Sequence, residues 1–144
     1  NLSIYQDTKI SDVFATLSII LLNKKTGLVN YSGAGDLPMI YFDSSKREAV
    51  FLQSNGLLLG FAENGEYNEV SVSLSPGDSV FLYTDGITEA SDPLGNQLGK
   101  ENLIKMIELM PAHLDPVNFI KNRMNEYTNM KFDDDVSVIA LKKL

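Results

Sequence analysis

The chain has 144 residues, 44% hydrophobic and 22% charged, the proportions of an ordinary soluble domain with a single core. Its net charge of −7, with no basic stripe, argues against a nucleic-acid partner, and no apolar run is long enough to cross a bilayer. With no cysteine and one histidine, His113, it cannot build a thiolate site or an all-histidine metal site, so any metal here should be a hard cation bound by oxygen.

Residues 1–10 have no clear period and read as the tail of a helix and a loop. Residues 13–22 are rich in β-branched and large apolar side chains and read as a strand, joined by the polar, glycine-ended stretch 23–27 to a partner strand at 28–32. Gly33-Ala34-Gly35-Asp36 marks a backbone that packs closely or takes unusual dihedrals. Residues 39–42 and 49–52 read as another hairpin around the polar loop 43–48. Val70, Val72 and Leu74 alternate with serines, giving a half-exposed strand expected to pair with the strand that follows it. That next strand, Val80-Phe81-Leu82-Tyr83, is continuously apolar, the pattern of burial on both faces. Ser75-Pro76-Gly77-Asp78 before it places Pro and Gly as a type II turn requires.

The period then changes. A helix opening at Asn96 or Gly99 is expected to run to Met110, with Leu103, Ile104, Met106, Ile107 and Met110 on its buried side and Pro111 as its stop. Asp115 should cap a second helix with Pro116 in its first turn, and Val117, Ile120, Met124 and Tyr127 recur at helical spacing. The methionines read as core filler. A last strand is expected through Val136, Val138 and Ala140. Antiparallel strands, then two helices, then one more strand predict a single α+β domain over 1–144, with helices packed on sheet.

Carboxylates stand at two strand ends. Asp85 follows Tyr83-Thr84 and precedes Gly86, and Asp133-Asp134-Asp135 precedes the last strand. At the end of a buried strand Asp85 should be rigidly held and partly desolvated, which calls for compensating N–H groups or a cation. The simpler reading is an Asp-Gly turn residue bonded to its own backbone. Antiparallel neighbouring strands would bring both acidic ends to one sheet edge, where repulsion is relieved by a divalent cation or a shifted pKa. An Asp triplet alone reads as a solvated loop.

Four segments carry a family resemblance: Phe14-Ala15-Thr16-Leu17; Tyr31-Ser32-Gly33-Ala34-Gly35-Asp36-Leu37-Pro38; Leu74-Ser75-Pro76-Gly77-Asp78 running into Tyr83-Thr84-Asp85-Gly86-Ile87-Thr88-Glu89-Ala90; and Asp134-Asp135-Val136-Ser137-Val138. Gly95 and Leu98-Gly99 fit the spacer after the Thr-Asp-Gly motif. In these the sequence resembles the metal-dependent PPM-type serine/threonine phosphatases, in the SpoIIE-like branch with the RsbU-type regulators. The resemblance implies a layered α/β/β/α sandwich of antiparallel sheets flanked by helices, with two Mn²⁺ or Mg²⁺ ions at one edge and a metal-activated water that attacks phosphorus in line. By motif match, Asp85 and Asp134 are the catalytic metal ligands, and Gly86 and Asp135 complete the metal-binding set. Glu89 matches an acidic family position for which a structural hydrogen bond is favoured. Asp133 has no counterpart.

Two departures stand out. The family's early Asp-x-x-Gly-His-Gly type metal segment is absent, so the chain is expected to be the C-terminal part of a domain whose first strands and helix lie upstream of Asn1. Asp36 stands where the family usually has histidine, placing an anion for a possible cation; His113, between the helices, is not a candidate acid. The resemblance further implies a cytoplasmic phosphatase acting on a phosphorylated STAS-type regulatory protein, fused upstream to a sensor or receiver domain, with possible homodimerisation through exposed sheet edge. The alternative is a non-catalytic pseudophosphatase that binds a signalling partner. A sandwich domain without metal is the plainest reading.

Overall fold

The computed structural model describes residues 14–144. The readings for residues 1–10 and for Val13 lie outside the described residues. Among those described, the elements are β1 (Leu17–Leu22), β2 (Leu28–Ala34), β3 (Met39–Asp43), β4 (Glu48–Leu52), β5 (Val70–Ser73), β6 (Ser79–Tyr83), α1 (Asp85–Thr88), α2 (Gly99–Glu108), α3 (Pro116–Thr128) and β7 (Val138–Lys142). The expected α+β class holds. Two compact units share them, one built from residues up to Pro38 with Leu52–Ser73, the other from Met39–Phe51 with Leu74–Leu144.

The first unit carries an antiparallel three-stranded sheet in the order β1-β2-β5. The β1–β2 hairpin forms as its sequence predicts, because Asn23 accepts hydrogen bonds at Oδ1 from the Lys25 and Thr26 amides and Gly27 takes a φ of +80°. Val29 and Tyr31 are fully buried on alternate positions of β2. On β1 the outward row Leu17, Ile19 and Leu21 is exposed. β1 begins at Leu17, later than its composition indicates; Ala15 instead makes an isolated bridge to Leu59.

The second unit holds the four-stranded sheet β4-β3-β6-β7, with α2 against β3 and α3 against β7. Here one expectation is overturned: β5 does not pair with β6 but lies beside β2 in the other sheet. β6 has β3 on one side and β7 on the other, both antiparallel, so neither of its edges is free for β5. The serine alternation of β5 described a half-exposed strand correctly, but alternation does not name a neighbour.

The turn between those strands is held by Asp78. The Asp78 amide donates to Ser75 O (3.0 Å) and Gly77 sits at φ +94°, as a type II turn needs. The Asp78 side chain is buried and accepts from the Ser75 amide (2.8 Å), the Ser44 amide (2.9 Å) and hydroxyl (3.0 Å), and the Tyr41 hydroxyl (3.1 Å). Burial alone would push this carboxyl up; the donors from Ser44, Ser75 and Tyr41 outweigh it and hold the group below the usual range. The same contact, after burial, pushes Tyr41 up to about 12. A depressed folded-state pKa contributes stability that is present above the unfolded value, near 4, and is lost as pH falls below it. Asp78→Ala, which leaves four donors without their acceptor, is expected to cost roughly 3 kcal/mol in urea unfolding at pH 7 and to abolish that acid dependence. Equal stabilities at pH 7 would show the donors rebinding elsewhere.

The helices follow their sequence signals with one adjustment. Asp115 caps α3 by accepting from the Asn118 amide (2.8 Å), with Pro116 in the first turn and Asn129 left-handed at its end. Phe119, Ile120, Met124 and Thr128 form its buried side; Val117 and Tyr127 are half-buried. α2 stops at Glu108 rather than Met110, because the last turn tightens and Arg47, stacked over the Phe42 ring, donates to the carbonyls of Met110 (2.7 Å) and Glu108.

Candidate functional site

The site lies at the end of the β6–β7 pair. The ladder closes at Tyr83 opposite Val138, so the C-terminal end of one strand meets the N-terminal end of the other. The chain leaving β6 and the chain entering β7 are then tied side by side. The Thr84 amide donates to Ser137 O (3.1 Å), the Ser137 amide to Thr84 Oγ1 (2.9 Å), and the Thr84 hydroxyl to Asp135 O (3.2 Å). β7 itself starts at Val138 and not at Val136, since Thr84 takes up the backbone groups that would extend the ladder. Thr84 stands in the family motif without a role of its own; its partners across the sheet reveal its part.

After Thr84 the chain makes a single helical turn, α1, which the Asp-Gly signal had suggested as a simple turn. Glu89 N donates to Asp85 O (2.8 Å) and the Thr88 hydroxyl to the same carbonyl (3.1 Å), while Ile87 is fully buried beneath. Gly86 is buried against the opposite segment: a methyl at its Cα would lie 2.3 Å from the Asp135 carbonyl oxygen. The glycine therefore permits a close approach of the two backbones that a side chain would block.

Asp85 does not sit in a desolvated place. Its side chain is exposed and accepts from the Gly86 amide (3.0 Å), the self-bonded arrangement of an Asp-Gly turn. Asp133, Asp134 and Asp135 are exposed as well, and Asp134 Oδ1 accepts from the Asp135 amide (2.7 Å). A cavity of about 320 Å³ is lined by Gly86, Glu89, Ser91, Gln97, Asp133 and Asp134, with Ala90 at its side. Asp134 and Asp135 also border an apolar groove against α3, beside Val117, Ile120 and Met124. Glu89 and Asp133 thus join the acidic cavity, although the motif match gave neither a metal role.

Lys121 of α3 borders the same groove as Asp134 and Asp135. The ion pairs among the described residues are Lys46–Asp43 and Arg123–Glu126, and neither involves these carboxylates. The donors are all oxygen, which suits Mg²⁺ or Mn²⁺ in kind. In number they are fewer: among the described residues no three of Asp, Glu or His gather closely enough to hold an ion by themselves. Asp36 belongs to the other unit, where it accepts from the Ser18 hydroxyl and the Leu37 amide (2.8 Å). His113 is exposed in the loop between α2 and α3.

The phosphoserine phosphatase RsbU of Bacillus subtilis is 25% identical over 135 residues, which are 92% of this chain and 40% of RsbU. Among solved structures, the SiaA-PP2C domain of Pseudomonas aeruginosa superposes with a TM-score of 0.76 at 16% identity, over 96% of this chain and 56% of that one. The manganese-soaked phosphatase domain of SpoIIE from Bacillus subtilis gives 0.68 at 15% identity, over 90% and 56%. The chain therefore spans less than half of RsbU and a little over half of each of these solved chains, and its fold is that of PP2C-type phosphatase domains. The family model for stage II sporulation protein E matches residues 1–143, nearly the whole length, and the chain belongs to the SpoIIE family.

Proposed function

We infer that residues 1–144 act as one domain of a PPM-type serine/threonine phosphatase, removing phosphate from phosphoserine or phosphothreonine of a STAS-type regulatory protein in the cytoplasm. The observation that carries this reading is the convergence of Asp85-Gly86 and Asp134-Asp135 where β6 and β7 end together, at an edge whose carboxylates form no ion pair among the described residues. Asp85, Asp134, Asp135 and the Gly86 backbone would hold Mn²⁺ or Mg²⁺, with two ions as the full complement. When bound, such ions acidify a water and offset phosphate charge. The protein's own part is to fix these oxygens through the Thr84 bonds and the Gly86 contact, and to supply an open cavity beside them. The name of RsbU and the manganese soak of the SpoIIE phosphatase domain support this reading. An upstream sensor or receiver domain and association through the exposed row Leu17, Ile19 and Leu21 on β1 complete the proposal.

A second reading, a pseudophosphatase that binds without turnover, is favoured by the short ligand supply and by Asp36. Metal removal separates the two. The full-length protein should release nitrophenol from p-nitrophenyl phosphate with added Mn²⁺, lose that activity in EDTA and regain it on readdition. Turnover indifferent to EDTA, or none under any metal, would sink the phosphatase reading.

A further inference from the structure

A threonine at the start of a helix ordinarily turns its hydroxyl onto the helix's own free amides. Thr84 holds that position ahead of α1, with extended backbone (φ −94°, ψ 159°), yet its side chain makes no capping bond there. The hydroxyl is committed across the sheet instead, accepting from the Ser137 amide (2.9 Å) and donating to Asp135 O (3.2 Å). Accepting from an amide and donating to a carbonyl at one atom needs a hydroxyl. Beyond the last ladder pair, Tyr83 with Val138, the backbone bond from the Thr84 amide reaches Ser137. The side chain carries the tie two residues further, to the residue that follows Asp134. The carbonyl it grips is also the one that Gly86 lies against, so residues 84–86 hold Asp135 from two directions. Thr84 itself is exposed, so the bond serves the spacing of the two acidic segments and not the burial of a core.

We propose that Thr84 is a positioning residue that sets the affinity of the acidic edge for its divalent cation, by holding Asp85 and the Asp134-Asp135 segment at a fixed separation. This rests on the reading of that edge as a metal site. Asp85 and Asp134 are both exposed, and each accepts from the amide of the residue that follows it. Those local bonds orient each carboxylate on its own segment and leave the distance between the segments open. Ligands on two separately moving segments must be ordered when the ion binds, and a tie made beforehand removes that cost. Groups hydrogen-bonded one step behind a ligand set commonly govern metal affinity by about 10–100-fold.

The test uses the full-length protein, with Mn²⁺ uptake followed by the electron paramagnetic resonance signal of the free ion and thermal unfolding measured alongside. Thr84→Val keeps the shape of the side chain and removes both bonds, whereas Thr84→Ser keeps both. Thr84→Val should raise the Kd for Mn²⁺ roughly tenfold with only a small fall in Tm. Its turnover of p-nitrophenyl phosphate should drop at limiting Mn²⁺ and recover as the ion is raised. Thr84→Ser should return the parental Kd. Parental Mn²⁺ affinity in Thr84→Val, or equal weakening in Thr84→Ser, would overturn the positioning role and leave the phosphatase reading standing. Mn²⁺ uptake that depends on the Thr84 hydroxyl in a protein without turnover would support the role and remove the phosphatase reading. A parent protein that takes up no Mn²⁺ would remove both.

Discussion

Asp85→Ala is expected to lower kcat/KM for p-nitrophenyl phosphate at saturating Mn²⁺ by roughly a thousandfold, about 4 kcal/mol of transition-state stabilisation, with little change in Tm. The two parts of that expectation come from different observations. Asp85 is exposed, and its side chain makes one hydrogen bond, to the amide of the next residue. Its removal therefore costs the fold on the order of 0.5–1 kcal/mol. Its value to the reaction is larger because the proposed ligand set is small, and an ion held by few carboxylates depends steeply on each. Asp133→Ala, in the cavity lined by Gly86 and Asp134 but without a motif counterpart, should keep activity within a fewfold. Asp85→Ala within threefold of the parent would mean that the metal, if used, is held elsewhere.

Gly86→Ala should damage stability and activity together. The added methyl would meet the Asp135 carbonyl oxygen at 2.3 Å and its carbon at 3.0 Å. Both are backbone atoms of a segment fixed by Thr84, so no flexible side chain can yield. Separation of α1 from the Asp134-Asp135 segment is the remaining route, at roughly 2–4 kcal/mol or a fall of about 10 °C in Tm. Gly95→Ala gives a control with a different cause: nothing lies within 4 Å of its added methyl, and only the left-handed φ of +86° opposes it. That strain is about 1 kcal/mol and leaves the acidic cavity intact. A Gly86→Ala protein with parental Tm and turnover would show that the β6 and β7 ends tolerate separation, and the argument for a rigid acidic edge would fall.

Much of this was legible beforehand. The apolar run at residues 80–83, the Pro-Gly-Asp turn before it and the caps of α3 are local signals, written within a few residues of where they act. So were the two carboxylate positions at strand ends, because the apolar runs fix where strands stop. The pairing of β5 was not legible, since a period of two tells which face is buried and nothing about the neighbour. α1 was missed because Asp-Gly supports a turn and a four-residue helix equally well.

By itself the sequence determined the α+β class, the family motifs and the acid residues available for chemistry. Tertiary structure alone decided that β6 and β7 pair with their acidic ends together and that Thr84 binds those ends to each other. The division has one physical cause. Propensity, caps and turns act between residues close in the chain. The site is made by contacts such as Thr84 to Ser137 and Gly86 to Asp135, across about fifty residues, where loop closure is offset only by the packing of the folded sheet.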